Sequence, residues 1–343
     1  MRHYLFILNL VFIFTIQSCV KDKPPAPQKQ IVNLSNNKKV YIINEGPFNS
    51  GNGSVSLYDS GTNSVIEDIY FQQNDKYLGN IVQSMLLVNN NFCIVVNNSG
   101  KIVFCDKNLN YIDEISGLGS PRYVLPISNK KAYVSDLYAN SISVVDLASF
   151  TKTSSIPCNG KTEKMVLIYN MAYVTNTDKE YVYVINTIKD VIIDSIFVGF
   201  NAYGIEIDEN DKIWVLSSGK NNISTGKLSK IDSKTNQIES SFSFQNNDSP
   251  NYLCFNKTKD TLYFINQNVY RMNIDDNNLP TLPFIIKRNR SFYGLGINPN
   301  NYSVFLADAI DYNQQSNVYI YDAKGNEVTF FKTAICSNSF YFE

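Results

Sequence analysis

Histidine is almost absent from this sequence. The only one, His3, lies in an N-terminal segment that we expect to be cleaved, so the mature protein would have none. Without histidine, Ser-His-Asp and Cys-His catalysis, imidazole-bound zinc or iron and histidine pH switching are excluded. We therefore expect neither a metal site nor a cofactor.

An excess of positive charge is also missing. Lys and Arg total 30 against 31 Asp and Glu, a formal net charge of -1. Nucleic acids and anionic membranes attract strongly basic surfaces. The sequence therefore predicts no nucleic-acid partner.

Recognisable catalytic motifs are missing as well. The chain has no Gly-rich phosphate loop, no G-x-S-x-G, no EF-hand spacing and no C-x-x-C pair. Beyond Cys19, five cysteines remain. Obligate disulfides are not implied, but one bridge stays open in an oxidising compartment.

The N-terminus has the features of a secretion signal. Residues 1–18 combine Arg2 with an apolar run that is too short for a comfortable membrane span. The run ends Ser18-Cys19, which resembles the lipobox of bacterial lipoproteins, so Cys19 is the predicted lipidation site. The alternative is an ordinary secretory peptide with a chance cysteine. Residues 19–38 contain three prolines and are predicted to be a flexible tether, leaving the lipid anchor as the only membrane contact.

A short pattern recurs at intervals of about 40 to 50 residues: an apolar residue, usually an aromatic, two mostly apolar residues, then Asn, Asp or Ser. Such self-similarity is typical of repeat architectures. The copies are Val40-Tyr41-Ile42-Ile43-Asn44, Cys93-Ile94-Val95-Val96-Asn97, Ala132-Tyr133-Val134-Ser135-Asp136, Ala172-Tyr173-Val174-Thr175-Asn176, Ile213-Trp214-Val215-Leu216-Ser217, Leu262-Tyr263-Phe264-Ile265-Asn266 and Val304-Phe305-Leu306-Ala307-Asp308.

Each copy is followed by a second alternating strand, a polar turn and a further short strand. Four strands in about forty residues are typical of a β-propeller blade. Seven copies predict an all-β, seven-bladed propeller over residues 39–343. The first blade lacks one strand, and the chain ends in an unassigned strand, Phe340-Tyr341-Phe342. We expect that strand to complete the first blade and close the ring, and the recurring aromatics to pack between blades.

The functional residues are predicted on one face. In a four-stranded blade, the loop before the innermost strand and the loop between the second and third strands emerge together. Tyrosine offers rigid apolar area with a hydroxyl, and amides both donate and accept, which suits a large neutral ligand. The alternative is that the tyrosines plug the channel. The candidate ligand-binding residues are Glu45, Gln83, Asn98, Arg122, Tyr123, Tyr138, Lys164, Asn176, Tyr203, Asn251, Tyr252, Gln267 and Tyr293.

Several segments resemble the YncE-like seven-bladed propellers, especially their lipoprotein branch in Bacteroidetes. They are Val40 to Gly46, Asn74 to Ser84, Asn97 to Ile102, and Ser120 to Tyr123. Some members, the BtuG-type lipoproteins, capture cobalamin and pass it to a TonB-dependent transporter. The resemblance implies these two partners and an outer-membrane location, with surface display favoured over periplasmic retention.

Two functions remain open. The first is capture of cobalamin or a similar large nutrient, without catalysis. The second is an interaction or adhesion module that binds a protein or glycan. A two-carboxylate glycosidase or lyase is a minor alternative, because a propeller can bring together carboxylates from distant blades.

Overall fold

The computed structural model describes residues 38–48 and 51–343. The predicted signal peptide, Cys19 and most of the tether lie outside these residues and remain predictions. The described chain forms seven antiparallel sheets, which confirms the predicted all-β, seven-bladed propeller.

Blades 1 to 4 each have four strands. Ordered from the innermost strand outward, they are β27 (Ser337–Phe342), β1 (Lys39–Asn44), β2 (Ser54–Asp59) and β3 (Ser64–Ile66); β4 (Val82–Val88), β5 (Asn91–Val96), β6 (Lys101–Cys105) and β7 (Tyr111–Ile115); β8 (Pro121–Pro126), β9 (Lys131–Asp136), β10 (Ser141–Asp146) and β11 (Thr151–Pro157); and β12 (Thr162–Ile168), β13 (Met171–Asn176), β14 (Tyr181–Asn186) and β15 (Val191–Phe197).

Blades 5 and 7 also have four strands, whereas blade 6 has three. In the same order they are β16 (Ala202–Ile207), β17 (Lys212–Ser217), β18 (Lys227–Asp232) and β19 (Ile238–Ser243); β20 (Asn251–Phe255), β21 (Thr261–Asn266) and β22 (Asn268–Asn273); and β23 (Phe292–Ile297), β24 (Val304–Asp308), β25 (Gln315–Tyr321) and β26 (Glu327–Ile335).

The C-terminal strand closes the ring, as the sequence predicts. β27 pairs antiparallel with β1, with Val40 opposite Phe342 and Ile42 opposite Phe340. The first blade therefore joins both ends of the propeller. The inner strands then contact one another in an unbroken circle, in the order β27, β4, β8, β12, β16, β20, β23 and back to β27.

The recurring aromatics pack inside the propeller. All six are at most 5% exposed: Tyr41, Tyr133, Tyr173, Trp214, Tyr263 and Phe305. Tyr41 of blade 1 contacts Phe92 of blade 2, with ring centroids 5.0 Å apart. Their burial between sheets provides much of the apolar area that holds neighbouring blades together.

The described chain has little helix. Its single helix, α1 (Ile69–Asn74), lies between blades 1 and 2, and the Asp68 side chain accepts a hydrogen bond from the backbone N–H of Phe71. Within residues 38–48 and 51–343, no helix has the length and apolarity needed to cross a membrane.

Candidate functional site

A β-bulge interrupts the innermost strand of every blade at the same place. In each case the bulge includes the second residue of that strand. A bulge leaves its extra residue out of the ladder and re-aims the side chain. The seven residues, which we call the axial ring, are Asn338, Gln83, Arg122, Glu163, Tyr203, Tyr252 and Tyr293, in blade order 1 to 7.

The ring has two chemically distinct parts. Blades 1 to 4 contribute the polar arc, Asn338, Gln83, Arg122 and Glu163. Blades 5 to 7 contribute the tyrosine arc, Tyr203, Tyr252 and Tyr293. The guanidinium of Arg122 in blade 3 lies 3.4 Å from the hydroxyl of Tyr203 in blade 5, so these two side chains meet across the channel.

Arg122 is the centre of the polar arc. Its Nε lies 3.0 and 2.9 Å from the two carboxylate oxygens of Glu163, and its Nη1 donates to the side-chain oxygen of Gln83. The Arg122 side chain is 13% exposed and the Glu163 side chain 3%. Burial alone would lower the pKa of Arg122, but Glu163 overrides this effect and raises the pKa, so the guanidinium stays charged.

Glu45 joins the two arcs. One carboxylate oxygen accepts a hydrogen bond of 2.8 Å from Asn338, and the other accepts one of 3.0 Å from the Tyr293 hydroxyl. Asn338 also donates to the backbone carbonyl of Gln83. Burial raises the pKa of Glu45, although Asn338, Tyr293 and Arg122 oppose the rise.

The tyrosine arc is built by edge-to-face ring contacts. The ring centroids of Tyr203 and Tyr252 are 6.4 Å apart, and those of Tyr252 and Tyr293 are 6.1 Å apart. Tyr312, half exposed, continues the series 5.2 Å from Tyr293. Burial raises the pKa of Tyr203, Tyr252 and Tyr293, so all three remain neutral phenols at physiological pH.

Further polar groups lie next to the ring. The Tyr123 hydroxyl is 3.3 Å from the Tyr203 hydroxyl. Burial by itself would lower the pKa of Lys164, but Tyr123 and Glu206 raise it overall. Burial also raises the pKa of Glu206, against the effect of Lys164.

The structure brings together eight of the thirteen predicted residues. Five belong to the axial ring and three contact or adjoin it: Gln83, Arg122, Tyr203, Tyr252 and Tyr293, then Glu45, Tyr123 and Lys164. The other five lie outside the ring. Asn176 is fully buried and accepts hydrogen bonds from the backbone N–H groups of Asp178 and Lys179, so it caps a turn.

The remaining four predicted residues have varied surroundings. Asn98 donates to Asn80, and Gln267 forms the tip of the β21–β22 hairpin with a φ of 56°. Tyr138 is 68% exposed, with the Lys161 ammonium 5.7 Å from its ring centroid. The side-chain oxygen of Asn251 is buried and has no hydrogen-bond partner within the described residues.

The thirteen candidates leave out three residues that the structure places in or beside the axial ring, although the sequence puts all three on loops of the same face: Glu163, Asn338 and Tyr312. A signal for Glu163 was present, because most ring residues lie about ten residues before a copy of the repeated pattern. The candidates include Lys164 and not its neighbour Glu163. The copy that follows Asn338 around the ring, Val40 to Asn44, lies at the other end of the chain, so the ten-residue spacing does not apply to Asn338.

The described residues limit two kinds of chemistry, which are metal binding and reactions of cysteine thiols. Across 38–48 and 51–343, no group of three or more His, Cys, Asp or Glu side chains could hold a metal ion. The five cysteines are free, and four of them are buried: Cys93, Cys105, Cys158 and Cys336. Burial raises the pKa of Cys254, the fifth, to about 12, so its thiol is not a ready nucleophile.

Comparison with known proteins gives a family but no activity. The sequence pattern of DUF5074, a domain of unknown function, matches residues 38–342. No curated protein matches the chain.

Solved structures resemble the chain in fold. A quinonprotein alcohol dehydrogenase-like protein from Bacteroides thetaiotaomicron matches with a TM-score of 0.71 at 14% identity, covering 89% of this chain and 78% of its own. The periplasmic gluconolactonase of Pseudomonas aeruginosa gives 0.65 at 11%, covering 88% and 99%. Hydrazine synthase from Kuenenia stuttgartiensis gives 0.60 at 13%, covering 74% and 87%. At these identities the likeness concerns the fold alone.

Proposed function

Because the chain belongs to the DUF5074 family, whose function is unknown, we propose a function from its site: the mouth of the propeller captures one large, mostly uncharged ligand. Cobalamin is the specific ligand we propose. The observation that carries the proposal is the axial ring, in which seven bulges direct one side chain per blade toward the channel.

The tyrosine arc provides the binding surface. Neutral phenols combine rigid apolar area with a hydroxyl, and such residues dominate tight interfaces because they lose little conformational freedom. Tyr293 and Tyr203 already use their hydroxyls within the protein. The hydroxyl of Tyr252 makes no hydrogen bond with the described residues and is therefore available to a ligand.

The charges of the ring favour an uncharged ligand. Arg122 is neutralised by the adjacent Glu163, and Glu45 accepts hydrogen bonds on both oxygens. A strongly charged ligand would need an opposite charge that is not already paired. The carboxylates of Glu45 and Glu163 already have partners, which supports ligand binding over catalysis. A glycosidase needs one carboxylate free to donate a proton and another free to activate the substrate or water.

The cellular setting of the proposal comes from the sequence. Cys19 would anchor the protein to the outer membrane, residues 19–38 would hold the propeller away from it, and a TonB-dependent transporter would receive the ligand. The resemblance to BtuG-type lipoproteins supports this setting.

Calorimetric titration of the purified protein with cobalamin tests the proposal. We expect saturable binding, and co-elution of the red chromophore during gel filtration. A Tyr203→Ala, Tyr293→Ala double variant should bind at least about 30-fold more weakly, since one buried aromatic anchor contributes about 2 kcal/mol or more. Tyr169→Ala is the matched control, because Tyr169 is an exposed tyrosine at the opposite end of β12. Absence of binding would remove cobalamin as the ligand.

The mouth also supports the second candidate, an interaction module. Four large side chains on loops of this face are at least 50% exposed: Phe48, Tyr138, Ile223 and Tyr312. Exposed apolar residues around a polar depression are typical of protein-binding surfaces. If cobalamin does not bind, and a Phe48→Ser, Tyr138→Ser double variant loses a surface partner identified by cross-linking on cells, this second function is favoured.

A further inference from the structure

A groove separates blades 5 and 6 on the outside of the propeller. It contains two adjoining cavities, of about 660 Å³ and about 380 Å³, which share Ser243 and Leu279 as lining residues. Each volume falls in the range of about 300–1,000 Å³ that is usual for small-molecule sites. The groove lies on the outer strands, separate from the axial ring.

The groove exists because blade 6 lacks a fourth strand. After β22 ends at Asn273, the chain continues in an irregular segment and pairs with β22 only at the bridge between Val269 and Ile285. The outer part of the blade 5 sheet therefore has no partner sheet opposite it.

Aromatic rings form the floor of both cavities. In the larger one, Phe242 stacks on Trp214 with an interplanar angle of 5° and centroids 6.3 Å apart. In the smaller one, Tyr270 stacks on Phe264 at 13° and 5.6 Å. Trp214 and Phe264 are buried, whereas Phe242 and Tyr270 are partly exposed. Each cavity thus presents one flat ring supported by a second ring beneath it.

The walls of the groove are rich in small polar side chains. Ser240, Asp275, Asn277 and Asn278 line the larger cavity. In the smaller cavity, the side-chain oxygen of Asn266 is buried and has no hydrogen-bond partner within the described residues. A buried polar atom without a partner is costly unless a ligand or water satisfies it.

The free edge of β22 offers little to an extended peptide. The N–H and C=O of Val269 already bond to the Phe284–Ile285 segment, and the Asp276 side chain accepts from the N–H of Asn273. Between Val269 and Asn273, only the backbone N–H and C=O of Arg271 remain without a partner among the described residues. Peptides that add a strand to a sheet depend on several consecutive backbone hydrogen bonds, so the groove does not suit that mode.

We propose that this groove binds a neutral oligosaccharide. Two flat rings in adjoining cavities would each take the apolar face of one sugar ring. The serine, asparagine and aspartate side chains would bond to sugar hydroxyls, which both donate and accept. The open, elongated shape fits a chain of sugars better than a single one.

Two measurements on the purified protein test the proposal. The first is binding to an array of neutral hexasaccharides that includes maltohexaose, cellohexaose, xylohexaose and mannohexaose, with affinities of positive probes determined by calorimetry. The second is intrinsic fluorescence, because Trp214 is the only tryptophan in the chain and lies under the larger cavity. A bound hexasaccharide absorbs no light in the tryptophan emission band, so it should change this emission saturably only by altering the surroundings of Trp214.

Variants locate the site. Phe242→Leu and Tyr270→Leu keep an apolar side chain but remove the flat ring, and each should weaken hexasaccharide binding at least about tenfold, equivalent to about 1.4 kcal/mol. Asp275→Ala removes only an exposed polar group and should weaken binding without affecting folding. The matched control is Phe330→Leu, since Phe330 stacks on Tyr319 in the outer strands of blade 7, away from the groove.

The outcomes are decisive either way. Binding that changes Trp214 emission and is lost in the groove variants but kept in Phe330→Leu supports the proposal. It is overturned if no hexasaccharide binds, if binding survives all three groove variants, or if a peptide library yields ligands that need Phe242 and Tyr270 while sugars do not bind.

Discussion

The polar arc and the tyrosine arc of the axial ring share one backbone geometry. They differ in whether their polar groups already have hydrogen-bond partners within the protein. Both are set on bulges at the second residue of an inner strand. In the polar arc, the Arg122 guanidinium donates hydrogen bonds to the side chains of Glu163 and Gln83. In the tyrosine arc, contacts are mostly between ring edges and faces, and the Tyr252 hydroxyl stays free.

Because of this difference, we assign the polar arc mainly to the stability of the fold and the tyrosine arc mainly to ligand binding. Arg122 and Glu163 form a buried ion pair, and removing one partner would leave an uncompensated charge. On the other side, the neutral Tyr252 can bond to a ligand without losing a hydrogen bond within the described residues, whereas Tyr203 and Tyr293 already use their hydroxyls. We therefore expect variants of the polar arc to affect mainly folding, and variants of the tyrosine arc to affect mainly affinity, with a smaller cost in stability where a hydroxyl is bonded within the protein.

Opening the ring is the change with the largest expected effect, because both arcs depend on it. Truncation after Ser337 removes most of β27, including Asn338, and exposes the edges of β1 and its neighbouring inner strands. Exposed edges promote aggregation. We expect aggregation or a fall in Tm of about 10 °C or more by scanning calorimetry. A truncated monomer with the parent Tm would show that closure does not depend on this strand.

The next largest effect is expected from Glu163→Ala. This change leaves the Arg122 guanidinium buried without its carboxylate, which should lower the free energy of unfolding by about 3–5 kcal/mol. Urea denaturation measures the loss. As a control, Glu114→Ala removes a more exposed partner of Lys101 and should cost about 1 kcal/mol or less. Equal losses in the two variants would contradict a special role for the polar arc.

A smaller pair of changes compares two hydroxyls of the tyrosine arc. Tyr293→Phe removes the bond to Glu45 and should cost about 1 kcal/mol of stability. Tyr252→Phe removes a hydroxyl that has no partner among the described residues, so Tm should stay unchanged while ligand affinity falls several-fold. Thermal melts and calorimetry report the two quantities. A destabilised Tyr252→Phe variant with parent affinity would reverse the assignment.

The smallest expected effect is the change in unfolding free energy with pH that results from the ionisation of Glu45. Burial raises its pKa in the folded state, so the folded protein holds the proton more tightly than the unfolded chain. The stability that this group contributes is present below the unfolded pKa, about 4.3, and is lost as pH rises through the folded pKa. Relative to Glu45→Gln, the parent should lose unfolding free energy as the pH rises above the unfolded pKa, as measured by urea titrations. A difference that grows with pH would contradict this sign.

The sequence predicts the propeller well because its repeat carries the strand pattern. The aromatic found in six of the seven copies, such as Tyr133 or Trp214, is buried in the structure for the reason its alternation indicates. The missing fourth strand of blade 6 was not predicted. The segment after Asn273 contains Asp275-Asp276-Asn277-Asn278, which favour turns, yet the number of repeats gives no information about the strands in any one blade.

The site is predicted less completely. Tyr203, Tyr252 and Tyr293 could be placed at equivalent positions because they precede the repeated pattern at similar distances. Which member of the pair Glu163-Lys164 belongs to the ring depends on the register of the bulge between Thr162 and Met165. A bulge is a feature of strand pairing across the sheet, and one strand's sequence does not determine it.

The most direct test of the central claim is a crystal structure of the protein with cobalamin bound. We expect electron density for the ligand at the mouth, in contact with Tyr252 and at least one other residue of the tyrosine arc, with the Arg122–Glu163 pair intact. Density on the opposite face or in the groove between blades 5 and 6, with the axial ring unoccupied, would contradict it.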